Sequence, residues 1–157
     1  MGSLNIFKRL QNELGYDIEF RQSGSFTAIH TEGQHAYAKE RVVFDRPIGQ
    51  NQGVQFPIAR AYTQVEAASL MVEKAANMFD EGLPCGAEAN MAKMLASEAS
   101  WQAGDTCMQT HGGFAFAKEY HIERKFRETR LYQIAPISTN LILSFVAEHV
   151  LDMPRSY

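Results

Sequence analysis

The side chains best suited to chemistry lie scattered along this sequence rather than in clusters. Cys85 and Cys107 are far apart and form no CxxC or Cys/His motif, so they are expected to be reduced thiols of a cytoplasmic protein. The five histidines show no metal-ligand spacing: His30, His35, His111, His121 and His149. The sequence therefore predicts no metal site.

A run of alternating charges occupies positions 123–130. Three arginines, Arg124, Arg127 and Arg130, are interleaved with Glu123 and Glu128. At this spacing, opposite charges three or four residues apart meet on one side of a helix. The run predicts an ion-paired helix face rather than a phosphate-binding site.

Composition narrows the classes of function. The chain has 157 residues, of which 45% are hydrophobic and 21% charged, as expected for one globular domain. The formal net charge of -3, without a basic stripe, argues against a nucleic-acid surface. No apolar run approaches the ~20 residues of a membrane span, and no signal-peptide core is present. We expect a globular protein that binds neither nucleic acid nor membrane.

The pattern changes near Gln34. Upstream of it, the sequence predicts a helix at Leu4–Leu14 and a hairpin of two strands at Asp17–Arg21 and Ser25–His30. Downstream, His35–Val43 predicts a short helix that ends at a break around Pro47. The chain thus divides into an atypical N-terminal segment, 1–34, and a helical domain, 35–157.

The helical domain contains further helix patterns of different length. Apolar residues recur every three or four positions from about Asn51 to Glu81, with Pro57 near the start. The stripe consists of Val54, Ile58, Ala61, Val65, Ala68, Val72, Ala75 and Phe79. Three more helices are predicted at Gly86–His111, Glu119–Phe126 and Ser138–Val150, with Ser138 as N-cap. The second of these carries a methionine-rich face that predicts core packing. Antiparallel helices with short connections predict a mainly α, up-down bundle.

Four sequence blocks carry a family resemblance. The first block is Tyr37–Arg41 leading into Phe44-Asp45-Arg46-Pro47-Ile48, with Gln52 and Gln55-Phe56, and the second is Ala89–Glu98. The third block is Gln109–Phe114 with Glu119-Tyr120 and Glu123-Arg124, and the fourth is Arg127–Arg130 with Tyr132-Gln133-Ile134. A Gly-Gly pair after a helix is by itself only a C-cap signal. In this order and spacing, however, the blocks make residues 35–157 resemble the C-terminal helical domain of the acyl-CoA dehydrogenases.

The resemblance implies a flavoenzyme domain. Members of this family use FAD to oxidise a fatty acyl-CoA to its trans-2-enoyl product, while a carboxylate removes the α proton. In the family this bundle forms one wall of the acyl and flavin site and packs against neighbouring subunits. The resemblance therefore implies a homodimer or tetramer, with acyl-CoA bound only in a complete enzyme.

The resemblance also implies which residues contact FAD. They are Arg41, Phe44, Gln52, Gln109, Gly113, Ser138 and Asn140. Arg41 matches an arginine at the FAD pyrophosphate, where a planar, permanently charged fork suits phosphate oxygens. The alternative, if the motif is disregarded, is that Arg41 is an ordinary cation at the end of a helix, where the helix dipole favours it. Gln109 and Gly113 match the stretch along the adenosine end, and Ser138 and Asn140 match positions near the flavin.

Two departures from the family pattern bear on activity. Pro136 stands where many members carry the catalytic glutamate, and proline cannot remove a proton. In isovaleryl-type members the base lies on an earlier helix, of which only the end resembles this chain, around 35–42. We assign no catalytic residue. Glu32 is not assigned as the base, because it lies in the atypical segment.

The two other domains of the family are not recognisable, so the sequence predicts a truncated domain that is inactive alone. There are two alternatives to a truncated domain. The chain is a non-catalytic oligomerisation module, or it is a subunit that completes a flavoenzyme site with a partner chain.

The atypical segment has a resemblance of its own. Residues 10–32 resemble a helix-and-strand piece of the flavin-dependent amino-acid and sarcosine oxidases. The alternative is a divergent extension that caps the bundle. Because a bundle lacking most of one helix exposes an apolar groove, at roughly 25 cal/mol per Å², we expect the Leu4–Leu14 helix of this or a partner chain to cover it.

Overall fold

The computed structural model describes residue 34 and residues 36–156. The elements expected at Leu4–Leu14, Asp17–Arg21 and Ser25–His30 lie outside these residues. In the described part, a helical segment at 36–40, called here the leading segment, precedes all other elements. Two strands, three 3-10 turns and four α-helices follow: β1 (Val42–Val43), β2 (Arg46–Pro47), Ile48–Gln50, α1 (Gln52–Asp80), α2 (Gly86–His111), Gly112–Phe116, Lys118–Tyr120, α3 (Ile122–Leu131) and α4 (Thr139–His149). The predicted mainly α bundle is confirmed.

Helix α1 buries only the first part of its predicted stripe. Ile58, Ala61, Val65 and Ala68 are buried, whereas Phe79 is 60% exposed. The helix begins at Gln52, ahead of Pro57, whose missing N–H leaves the Gly53 carbonyl without its helical donor. The predicted stripe therefore faces the core in the first half of α1 and is exposed at Val72 and Phe79 in the second half.

Helix α2 lies at the centre of the bundle and is buried through small residues. It contacts α1, α3 and α4, and its buried positions include Ala92, Ala99, Ala103 and Gly104. A Cβ built on Gly104 would approach Thr129 Oγ1 of α3 to 3.3 Å. Small side chains let three helices approach closely. The predicted bounds are confirmed. Of the predicted methionine face, Met108 packs against a buried cluster, and Met91 and Met94 are half-buried.

Helix α3 begins later than predicted. His121 adopts φ 58°, a left-handed conformation that separates the 3-10 turn at Lys118–Tyr120 from the helix. The predicted ion pairs form, with Arg127 Nη2 at 2.8 Å from Glu123 Oε2 and Arg124 Nη1 at 3.3 Å from Glu128 Oε1. Arg130 instead places its guanidinium 5.3 Å from the ring centroid of Trp101. The Trp101 ring also packs against the Phe126 ring, with their centroids 4.5 Å apart. These contacts of Trp101 join α2 to α3.

A tight hairpin replaces the end of the short helix predicted at His35–Val43. Val42 pairs with Pro47 and Val43 with Arg46, which leaves Phe44 and Asp45 as the two-residue turn. Their φ angles are 52° and 62°, the pair of positive values of a type I′ turn. That turn suits the right-handed twist of paired strands, so the helix ends before it.

Asp45→Gly is expected to raise the free energy of unfolding by about 0.5 kcal/mol, because glycine adopts positive φ without the Cβ penalty. Urea denaturation followed by circular dichroism would measure the change. The control is Glu73→Gly, an exposed position inside α1, which should lower stability by about 1 kcal/mol. A loss of stability at position 45 would contradict the turn assignment.

Candidate functional site

Arg41 is held at the junction between the leading segment and the hairpin. Its backbone N–H donates to Tyr37 O at 2.9 Å, and its carbonyl accepts from Ile48 N at 2.9 Å. Its guanidinium lies 4.6 Å from the ring centroid of Phe114 and 5.8 Å from that of Tyr37. Cation–π contacts of this kind orient a guanidinium and leave its N–H groups available to a ligand.

Two glycines shape the chain beside Arg41. Gly112 ends α2 with φ 58° and ψ -131°, a backbone region that favours glycine. At Gly113, a Cβ would meet no atom within 4 Å, so the backbone faces open space. A ligand can therefore approach the Gly113 main chain directly.

These elements enclose an open pocket of ≈ 600 Å³, the arginine pocket. It is lined by Arg41, Val43, Ile48, Gln109, Thr110, His111, Gly112, Gly113 and Phe114. Three of the predicted cofactor-binding residues, Arg41, Gln109 and Gly113, therefore meet at one place. Phe44 and Gln52 do not line it: Phe44 is 94% exposed in the hairpin turn, and Gln52 is exposed at the start of α1.

An aromatic cluster supports the floor of the arginine pocket. The His111 and Tyr37 rings stack with centroids 3.8 Å apart, and Tyr120 meets both edge-on. His111 Nδ1 is 3.0 Å from Cys107 O, so the nitrogen that donates is Nδ1. Sequence reasoning did not select Tyr37 or His111, although Tyr37 lies four residues before Arg41 and so shares its helix face.

Protonation of His111 is disfavoured in this cluster. Burial, and next the nearby Arg41 charge, lower the pKa of the imidazole, although the hydrogen bond to Cys107 O opposes this. The unfolded chain therefore binds a proton near pH 6.5 that the folded chain does not yet bind. Stability due to this group is present above pH 6.5 and is lost as the pH falls toward the lower folded value.

His111→Gln is accordingly expected to flatten the decline in the free energy of unfolding between about pH 6.5 and pH 5. Urea titrations at several pH values would measure the slope. His121→Gln, at an exposed position, is the control for the loss of one imidazole. Equal slopes in wild type and His111→Gln would disprove the prediction.

Ser138 and Asn140 lie elsewhere. Ser138 Oγ accepts a hydrogen bond from Leu141 N at 3.3 Å, which confirms Ser138 as the N-cap of α4. Both residues line a pocket of ≈ 250 Å³ beside Arg130 and Gln133. The loop between α3 and α4 contacts α2 at Lys93. Lys93 and Gln109 are about sixteen residues apart, which corresponds to roughly 25 Å along α2. Five of the predicted cofactor residues thus fall into two separate groups, and Phe44 and Gln52 line neither pocket.

Lys93 closes the loop between α3 and α4. Its ammonium donates to the carbonyls of Tyr132 and Ile137, one at each end of that loop. Beside it lies an apolar groove of ≈ 260 Å³, the α2 groove, lined by Lys93, Ala96, Ser97, Ser100, Tyr132, Ala135 and Pro136. Position 136 is a proline, and none of the described residues in this lining carries a carboxylate.

Lys93→Met is expected to lower the free energy of unfolding by about 2 kcal/mol, because two carbonyls lose a charged donor. Chemical denaturation would measure the loss. Lys74→Met is the matched control: Lys74 forms an exposed 3.2 Å ion pair with Glu88, and such pairs contribute about 0–1 kcal/mol. Similar losses in the two variants would show that Lys93 does not fix the loop.

The arginine pocket offers binding rather than bond-making groups. It presents one cation, a side-chain amide, an open glycine backbone and an aromatic wall, which together suit a phosphate-bearing ligand with a planar ring. Among the described residues, no group of three potential metal ligands occurs. No helix in that same part of the chain is long and apolar enough to span a membrane.

Comparisons with known proteins show which family the chain is similar to. The model of the family described as "Acyl-CoA dehydrogenase, C-terminal domain" matches residues 28–151. The acyl-CoA dehydrogenase FadE12 of Mycobacterium tuberculosis is 46% identical over 123 residues, which is 77% of this chain and 32% of that protein. The chain thus spans about a third of the length of such curated relatives.

Solved structures give the same picture. A glutaryl-coenzyme A dehydrogenase in complex with glutaryl-CoA superposes with a TM-score of 0.78 at 30% identity, over 83% of this chain and 33% of the other. The FAD complex of PigA superposes with a TM-score of 0.77 at 29% identity, over 79% and 32%. Both similarities cover the helical bundle.

Proposed function

Because the chain belongs to the acyl-CoA dehydrogenase family, as its C-terminal domain, we propose that it forms the helical wall of an FAD site. The observation that carries the proposal is the convergence of Arg41, Gln109 and Gly113 on one pocket. Arg41 would bind the pyrophosphate, and the open backbone at Gly113 would lie along the adenosine end. When bound, FAD would supply the hydride acceptor of acyl-CoA oxidation.

The charge of the arginine pocket fits this cofactor. Among the described residues, no carboxylate lies within ion-pairing distance of the Arg41 guanidinium, so its charge is available to an anion. Phe114 and Tyr37 hold the guanidinium in place before a ligand arrives, which reduces the entropy lost on binding.

The second group of predicted residues would serve another part of the cofactor. Ser138 and Asn140 line a different pocket from Arg41, Gln109 and Gly113, and the loop before Ser138 contacts α2 at Lys93, roughly 25 Å along the helix from Gln109. In this proposal they face the flavin end, of the same cofactor or of one bound by an adjacent protomer. Phe44 and Gln52 would pack beside the cofactor only once such a protomer is in place.

The chain alone would not oxidise acyl-CoA. The general base must lie within reach of the proton that it removes. Position 136 is a proline, and no carboxylate is among the described residues that line its groove. Substrate oxidation would need a base and binding groups from elsewhere in a complete enzyme. The role proposed for this chain is therefore cofactor binding and assembly.

Assembly as a homodimer or tetramer is part of the proposal. On α1, Phe56 and Leu70 are 61% and 67% exposed and lie on the same face of the helix, about four turns apart. Large apolar side chains exposed together along one helix are costly in water and are usual at protein interfaces. A second copy would cover them and would bring its own hairpin beside the first protomer's cofactor.

FAD titration of the purified chain tests the proposal. Binding is expected to shift the visible flavin absorption band, and flavin should co-elute with protein on gel filtration. Adenosine diphosphate, which lacks the flavin, should compete because it contains the adenosine and pyrophosphate groups. A protein that neither retains FAD nor gains thermal stability in its presence would overturn the proposed site.

A further inference from the structure

His111 connects the arginine pocket to the aromatic cluster beneath it. The residue lines the pocket, yet it is only 8% exposed. Its ring is fixed from two directions, because it stacks on Tyr37 with centroids 3.8 Å apart and its Nδ1 lies 3.0 Å from Cys107 O. A ring held in this way keeps one orientation, so each of its two nitrogens has a defined role.

The hydrogen bond to Cys107 defines where a second proton would go. A carbonyl oxygen can only accept, so Nδ1 carries the proton of the neutral imidazole and Nε2 carries the lone pair. Among the described residues, Nε2 of His111 has no hydrogen-bond partner. Protonation at Nε2 would therefore create a positive charge and an N–H group that this part of the chain does not use.

The described groups that face His111 include one full charge. They are the Cys107 thiol on α2, the Tyr120 phenol on the 3-10 turn before α3, the Tyr37 phenol of the leading segment, and the Arg41 guanidinium that follows this segment. Burial raises the pKa of both Cys107 and Tyr37, so these two groups stay neutral where an imidazole titrates. Burial, and next the Arg41 charge, lower the pKa of His111. Arg41 therefore opposes a second charge on His111 until an anion neutralises it.

We propose that His111 is a second, proton-dependent cation of the arginine pocket, and that an anionic ligand binds there together with one proton. This inference rests on the proposed FAD site and adds the protonation state in which the ligand is held. An anion paired with Arg41 cancels the repulsion between that guanidinium and a protonated imidazole. A phosphate oxygen in the same pocket also accepts from the new N–H at Nε2. The proton comes from the solvent.

The coupling has a defined sign. In the free folded protein the imidazole is neutral at neutral pH and its protonation begins below about pH 6.5, because its pKa is lowered. A bound anion raises that pKa, so by linkage the affinity increases as the pH falls, by up to about tenfold for each pH unit of the rise. FAD is expected to bind about three- to tenfold more tightly at about pH 5.5 than at about pH 7.5.

Isothermal titration calorimetry of the full chain with FAD tests the coupling. Titrations in two buffers of different ionisation enthalpy give the number of protons taken up for each FAD bound. The pyrophosphate of FAD is a diester that stays ionised throughout this pH range, so the ligand itself takes up no proton. The expected uptake is about half a proton near pH 6 and close to none near pH 7.5.

Two variants assign the proton. His111→Gln keeps a side-chain donor for Cys107 O but cannot be protonated, so it should bind FAD without proton uptake. His149→Gln is the matched control. The His149 ring packs on Phe145, which lies beside Gly86 at the opposite end of α2 from His111. This variant should keep the wild-type uptake, and circular dichroism near pH 6 would establish that both variants are folded.

The outcomes separate the coupling from the FAD site. FAD binding without proton uptake near pH 6 in the wild-type chain would overturn the coupling and leave the FAD site in place, whether or not a variant folds. Uptake that persists in His111→Gln would assign the proton to another group and overturn the role of His111. A chain that binds no FAD at any pH would overturn the proposed function, and the coupling with it.

Discussion

Replacing Gly49 by alanine is expected to lower the free energy of unfolding by about 2 kcal/mol and to weaken the arginine pocket. A Cβ at position 49 would stand 2.7 Å from Ala38 O and 3.1 Å from Ala38 C. These are backbone atoms of a buried residue, so they cannot rotate away, and overpacking of this kind costs about 1–3 kcal/mol. The leading segment would have to move, and Arg41 would move with it.

Gly53→Ala is the matched control for Gly49→Ala. Gly53 lies in α1 with no atom within 4 Å of a built Cβ, so alanine should raise stability by about 0.5–1 kcal/mol. Thermal and urea denaturation would separate the two variants, and FAD titration would report the pocket. If Gly49→Ala were as stable as wild type, the close approach of the leading segment to the Ile48–Gln50 turn would be wrong.

Arg41→Ala is expected to raise the dissociation constant for FAD by about ten- to a hundredfold. Hydrogen bonds from a charged donor contribute about 1.5–3 kcal/mol, and each 1.4 kcal/mol is a factor of ten. Arg41→Lys keeps the charge but not the planar fork, so it should recover only part of the affinity. The effect should decrease at high salt because the ligand is an anion.

Arg60→Ala provides the comparison for Arg41→Ala. Arg60 is an exposed cation on α1 outside the arginine pocket, and its loss changes the net charge equally. FAD affinity should be unchanged in this variant, as measured by quenching of flavin fluorescence. Equal losses in both variants would attribute binding to overall charge, and no loss at Arg41 would remove it from the site.

The long helices could be predicted from the sequence because their signals are local. The bounds of α2 follow from Pro84 and Gly86 at one end and Gly112 at the other, and Ser138 marks the start of α4. The burial of these helices was harder to predict. The buried residues of α2 are mostly small, namely alanine, serine, glycine, threonine and cysteine, with His111 at the end. Their burial depends on the three helices around α2 more than on their own hydrophobicity.

The errors near residues 42–47 and 119–121 have a common cause. Phe44, Asp45 and His121 all adopt positive φ, which side chains other than glycine disfavour. Sequence patterns assign such residues to the neighbouring helix. In each place the tertiary structure outweighs the local preference and ends the helix earlier or starts it later.

Sequence motifs predicted individual residues of the candidate site, but not which of them lie close together. Arg41, Gln109 and Gly113 converge because the leading segment crosses the end of α2, which no spacing within one segment can show. The supporting pair of Tyr37 and His111 becomes visible only when the two helices are placed together. Ser138 is explained by capping alone, and its place beside a flavin stays a prediction.

The packing of Trp101 between Phe126 and Arg130 has a spectroscopic consequence. It is the sole tryptophan of the chain, and its ring contacts α3 rather than the arginine pocket. Tryptophan emission therefore follows the docking of α3 on α2, while flavin emission follows the pocket. In a variant whose flavin emission changes at a lower denaturant concentration than its tryptophan emission, the pocket would be lost before the helical bundle unfolds.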